Sequence, residues 1–161
     1  MVDLELVDLN NEDEIECIIG QAGFIKTIED LYEALVTSTP KIKFGIAFSE
    51  ASGKCLVRSE GNDDSLIKLA EENALKIGAG HSFIIFFKDA FPINLLNNIK
   101  NVQEVSRIYC ATANPISVLI VKSKQGRGIA GIIDGYTPKG IETADDKKDR
   151  HDLLRKFGYK L

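Results

Sequence analysis

The chain has 161 residues, a formal net charge of −4, 44% hydrophobic and 27% charged residues, and a mean hydropathy of −0.05. This length corresponds to about one domain, and a chain of this size buries roughly two-thirds of its unfolded surface, so a core forms without staples. The slight negative charge supplies no broad basic field for nucleic acid, and no apolar run approaches the roughly 20 residues that cross a bilayer.

Cys17, Cys55 and Cys110 are an odd number without CxxC spacing, and no basic flank followed by an apolar signal core opens the chain. These features predict a cytoplasmic protein, with the thiols as small core residues. Two histidines and three scattered cysteines lack ligand spacing, so no structural metal site is expected.

In chain order, Val2–Leu9 alternates as a strand does, and Ile15–Ile19 does so more weakly. Thr27 opens a helix to about Val36, with Asp30 at the capping-box position, and Thr39-Pro40 stops it. Ile42–Phe48 and Cys55–Ser59 read as strands around Ser52-Gly53, a hairpin or a tight ligand loop. After the turn Gly61-Asn62-Asp63 comes a helix with Leu66, Leu69, Ala70, Ala74 and Leu75 on one face, ended by Gly78.

Ser82–Phe87 is a strand, and Pro92 begins a short helix to about Lys100. Val105–Ala111, Ile116–Lys122 and Ile129–Ile133 are β-branched and turn-bounded, three further strands. A last helix spans about Asp145–Phe157, with Gly158 as its cap. The order ββαββαβαβββα predicts a single α/β domain, a mixed β-sheet with helices packed on its faces; a two-layer α+β sandwich is the alternative. Consecutive strands near the end argue against a doubly wound nucleotide fold.

Four small-residue runs could build a small-molecule site from loops: Phe48–Gly53, Ile77–His81, Ala111–Pro115, and Gln125–Gly128 leading to Asp134-Gly135. Glycine lets backbone approach a ligand closely, and a histidine at a strand edge can act as base, acid or phosphoryl carrier. Neither GxxxxGK[ST] nor a strand-to-helix GxGxxG is present, which excludes a standard P-loop.

With these blocks in order, the chain resembles the adenosine-specific kinase family of archaea and bacteria. The resemblance covers nearly the whole chain. It rests also on Gly20-Gln21, Phe24–Thr27, Lys43–Phe48, Glu50–Gly53, Gly61–Asp63, Phe91–Asn94 and Gly126-Arg127-Gly128. It implies adenosine or AMP as ligand, phosphoryl transfer as reaction and a homo-oligomer built on a three-fold axis. Two positions depart from the family pattern: Gly23 stands where histidine is common, and Ser49 where cysteine is common.

Each candidate residue has a functional and a structural reading. His81 is either a catalytic nucleophile or base or a residue that orients its loop, whereas His151 in the charged last helix reads as surface. Arg127 between Gly126 and Gly128 offers a bidentate fork for phosphate, or sits in a plain turn. Glu50 could hold ribose hydroxyls, beside Ser52, and Asp134 could take a proton or coordinate Mg²⁺ brought by a phosphorylated nucleotide; both could equally cap turns. Lys26 precedes a helix start that favours anions. Asn62 is a ligand-binding or a turn residue, and Asn114 could read an adenine edge or initiate a turn.

Overall fold

A strand whose successive residues are apolar needs cover on both faces, and the strand Ser82–Lys88, with its run Phe83–Phe87, is the one around which this chain is arranged. The computed structural model describes residues 1–161. Its elements are β1 (Asp3–Asp8), β2 (Glu16–Ala22), α1 (Thr27–Val36), β3 (Lys43–Ser49), β4 (Val57–Gly61), α2 (Asp64–Ile77), β5 (Ser82–Lys88), α3 (Pro92–Lys100), β6 (Val105–Thr112), β7 (Ile116–Lys122), β8 (Arg127–Asp134) and α4 (Ala144–Lys156). This is the element order read from the sequence, in one α/β domain with helices on sheet faces.

The strands divide into two sheets, ordered β4-β3-β5-β2-β6 and β1-β7-β8, and every ladder is antiparallel. Strand β5 is therefore central in the larger sheet and alternates its side chains between two cores. Phe83, Ile85 and Phe87 join Leu31, Leu35, Leu95 and Ile99 beneath α1 and α3. Ile84 and Phe86 join Leu66, Ala70, Ala74 and Ile77 of α2, with Val118 and Ile120 of the smaller sheet. Burial of each such side chain stabilises by about 1.5–3 kcal/mol.

Local sequence fixes how α2 sits. Asp63 caps it by accepting from the N–H groups of Ser65 and Leu66, both at 3.1 Å, and Gly78 at φ 60° ends it. The helix lies so close on β3 that a Cβ on Gly45 would come within 2.2 Å of the Leu66 and Ile67 backbone. Along α2 the covered face includes Asn73 and Ile77, while Leu75, expected inside, is 70% exposed. Asn73 is admitted because its amide bonds to Asn10 and to the Leu69 carbonyl. At α1 the expected capping box is absent: Lys26 is the cap residue without a side-chain cap bond, and Asp30 pairs with Lys26 instead.

Candidate functional site

A strand end brings side chains and loop backbone to one place, and here the start of β5, the end of β2 and the β3–β4 loop converge. The His81 N–H donates to the Ser49 carbonyl at 2.8 Å, and the His81 carbonyl accepts from Ala22 N–H at 2.9 Å. These bonds hold His81 at φ 63°, the left-handed region that an L-residue other than glycine enters at a cost. Its imidazole takes part in no side-chain hydrogen bond of the chain and stacks on Phe48, with centroids 6.0 Å apart and planes 17° apart.

The imidazole lines a cleft of about 470 Å³ with Gly23–Ile25, the Glu50–Lys54 loop and Arg58. Glu50 holds that loop in shape. Its carboxylate accepts from Leu56 N–H at 3.0 Å and from Arg58 Nε at 2.8 Å. The Leu56 bond, then the Arg58 guanidinium, draws the Glu50 pKa below the ordinary glutamate range. Arg58 also donates through Nη1 to the Ile25 carbonyl at 3.0 Å, tying the two walls together. Ser52 sits on the exposed loop, where its carbonyl accepts from Cys55 N–H.

A second cleft, of about 630 Å³, adjoins the first across Glu50 and Ala51. It lies between the C-terminal end of α2 and the β7–β8 turn, and is lined by Ser49, Gly80 and the Gln125–Gly128 run. Ser49 Oγ is buried there without a hydrogen-bond partner. Three of the four small-residue runs thus meet around adjoining clefts.

Arg127 borders the second cleft with its donors engaged. Nε donates to the Ile77 carbonyl at 2.9 Å, Nη2 to the Lys76 carbonyl at 3.2 Å, and Nη1 to Glu5 Oε2 at 3.1 Å. The guanidinium closes the end of α2, where orphan carbonyls and the negative dipole end favour a cation. Its neighbours Gly126 and Gly128 are exposed turn and strand residues with open space above them.

The remaining candidates lie elsewhere. Asn114 and Asp134 bond to each other at 3.1 Å, at the end of the sheet where Cys17 pairs with Thr112, whereas Gln21 pairs with Ser82 beside His81. Four residues along β2 separate those pairings by about 13 Å, so Asp134 and His81 lie toward opposite ends of that strand. Lys26 turns its ammonium to Asp30 and Glu104. Asn62 lines neither cleft, and its amide accepts from Phe44 N–H and donates to the Ile42 carbonyl, both at 2.9 Å.

Burial pushes the Cys110 thiol up to about 12 and the Cys17 thiol well above its ordinary value, which keeps both as inert core thiols. Cys55 departs from the expected core placement: it is exposed, at φ 51° in the β3–β4 loop. His151 is exposed on α4. No group of three or more His, Cys, Asp or Glu side chains is placed to hold a metal ion, and no helix is long and apolar enough to cross a membrane.

Comparison with known proteins adds a family. The family model described as adenosine specific kinase matches residues 7–160. The chain belongs to the adenosine-specific kinase family. A crystal structure of the PH1918 protein from Pyrococcus horikoshii OT3 is similar over 100% of this chain and 99% of that one, at 48% identity and a TM-score of 0.96. No curated protein matches. In this member of the adenosine-specific kinase family, the Gly23 departure falls directly against His81, since a Cβ at position 23 would lie 3.0 Å from its Nδ1. Phe48 belongs to a run expected at the site, whereas Arg58, Lys54 and Phe24 were not singled out as cleft residues. The only signal for Arg58 was an arginine within an expected strand, which carries no address in space.

Proposed function

We propose that the whole chain is one adenosine- or AMP-binding domain that moves a phosphoryl group to or from the nucleoside at the His81 cleft. The observation that carries this reading is His81 itself, held in left-handed backbone with its ring on Phe48 and its nitrogens free of side-chain hydrogen bonds. Strain of this kind is kept where surrounding structure over-determines it, as at functional sites. The family description supports adenosine as the ligand class.

In this reading a ring nitrogen of neutral His81 attacks the phosphorus of a phosphorylated donor. A P–N bond forms, and the P–O bond to the leaving group breaks. The adenosine hydroxyl then attacks the same phosphorus, the P–N bond breaks, and the hydroxyl proton passes to solvent. Arg58 and Lys54, the cations lining the cleft, neutralise the phosphate oxygens, which is most of what phosphoryl transfer asks of a protein. No carboxylate cage for a resident metal is present; Mg²⁺ enters only as a companion of the nucleotide phosphates.

A second reading, an adenine-nucleotide sensor without turnover, is favoured by one observation. No free carboxylate serves His81: Glu50 is committed to Leu56 and Arg58, and Asp134 is at the far end of the sheet. Incubation with labelled ATP and adenosine, with and without Mg²⁺, separates the two. Equal formation of ADP and AMP supports transfer. AMP binding in calorimetry without product supports the sensor, and neither result defeats both.

A further inference from the structure

A hydroxyl taken out of water keeps its need for a hydrogen bond, so one left unpaired in a native chain calls for a partner from outside it. Ser49 is such a residue. It ends β3 at 7% exposure, it lines the larger cleft, and its Oγ has no partner among the groups of the chain. The backbone of Ser49 is engaged, its carbonyl accepting from His81 N–H at 2.8 Å. The side chain has no bond to keep in the fold.

The walls around that hydroxyl are apolar and uncovered. Leu75 of α2 is 70% exposed and Leu56 of the β3–β4 connection is 56% exposed, and both line the cleft. Gln125 adds a side-chain amide at the exposed rim. The cleft also offers no free charge. Of its lining residues only Glu50 and Arg127 are ionic. Glu50 is engaged by Leu56 and Arg58, and Arg127 by Ile77, Lys76 and Glu5.

The His81 cleft has the opposite character, with Arg58 and Lys54 lining it beside the imidazole. The two openings share Glu50 and Ala51, so one molecule can lie across that ridge and enter both. A volume of about 630 Å³ is in the range of small-ligand pockets. The ligand matched to this pair has an anionic end and an uncharged flat end whose edge both donates and accepts hydrogen bonds. A serine hydroxyl can answer either role.

We propose that the larger cleft holds the purine base of the nucleotide, with Ser49 bonding to its edge between the apolar walls of Leu56 and Leu75, while the phosphate lies in the His81 cleft. This rests on the reading of the His81 cleft as the phosphoryl-transfer centre. It adds a specificity-determining residue remote from the reacting atoms: Ser49 selects the base, and His81 handles the phosphoryl group.

Calorimetry of the full chain with adenosine, AMP and inorganic phosphate tests this division. Ser49→Ala should weaken adenosine and AMP at least tenfold and leave inorganic phosphate unchanged. Its Tm should equal or exceed that of the parent, because the deleted hydroxyl bonds to nothing in the fold. Leu75→Ala, at an exposed position, should weaken adenosine at least threefold without affecting phosphate. Inorganic phosphate should not displace adenosine, since the two occupy different clefts. If the parent binds adenosine and Ser49→Ala binds it equally well, the base lies elsewhere and this proposal alone falls. It falls alone also if Ser49→Ala lowers Tm, which would make the hydroxyl structural, or if phosphate competes with adenosine. A parent chain that binds neither adenosine nor AMP overturns both this proposal and the reading on which it rests.

Discussion

A Cβ placed on Gly23 would lie 3.0 Å from Nδ1 and 3.2 Å from Cε1 of His81, so the glycine leaves one edge of the imidazole open. Gly23→Ala fills that edge without asking for a left-handed backbone, and the ring must shift. Crowding of this size costs about 1–3 kcal/mol, expected as AMP affinity reduced about tenfold in calorimetry. An unchanged Kd would show that the ligand does not use this edge of the ring.

His81 separates stability from chemistry. His81→Gly relieves the left-handed backbone at φ 63°, worth about 1 kcal/mol and a rise in Tm of about 2–4 °C, while abolishing phosphoryl transfer. His81→Gln should keep AMP binding and lose transfer. Full transfer by the glutamine variant would make the histidine structural.

Arg127 and Arg58 are expected to fail in different assays. Arg127→Ala removes three donors from the end of α2 and from Glu5, so thermal unfolding should show a loss of about 1–3 kcal/mol, with adenosine and AMP affinities changed equally. Arg58→Ala loses AMP affinity more than adenosine affinity, because its guanidinium borders the His81 cleft. If Arg127→Ala discriminates between the ligands, the phosphate lies in the larger cleft.

Glu50 gives the cleft an acid limit. Its folded pKa lies below the ordinary value of 4.5, chiefly through the Leu56 N–H and then Arg58. The carboxylate therefore contributes stability that is full above 4.5 and is lost as pH falls through the lowered value. Loop proteolysis at the β3–β4 turn should accelerate over that acid range in the parent chain. In Glu50→Gln it should be faster at neutral pH and nearly flat with acid; a flat parent profile would refute the role.

Element order was legible because each strand and helix carries its own periodicity and punctuation: Pro92, Gly78 and Gly158 mark boundaries by local backbone physics. Partition into two antiparallel sheets was not, since pairing is decided between distant strands such as β1 and β7. The same limit governs the site. His81, Glu50 and the 125–128 turn were recognisable by composition and do adjoin. The bonds of Arg127 were not legible, because its partners Ile77 and Lys76 are about fifty residues away. Asp134 and Asn114 look like site residues in isolation, and the fold places them together at the opposite end of β2 from His81.

The central position of β5 has a mechanical consequence. Hydrogen-bonded to β3 on one side and β2 on the other, and gripped by both cores, it is the strand least able to move. His81 sits in the turn that leads directly into it, so one jaw of the cleft is an anvil. The opposing jaw is a seven-residue connection between β3 and β4, tied to β4 through Glu50. If the His81 cleft binds the ligand as proposed, substitutions at the tip of that jaw, Ser52 to Lys54, should tune exchange rates while the anvil keeps its register.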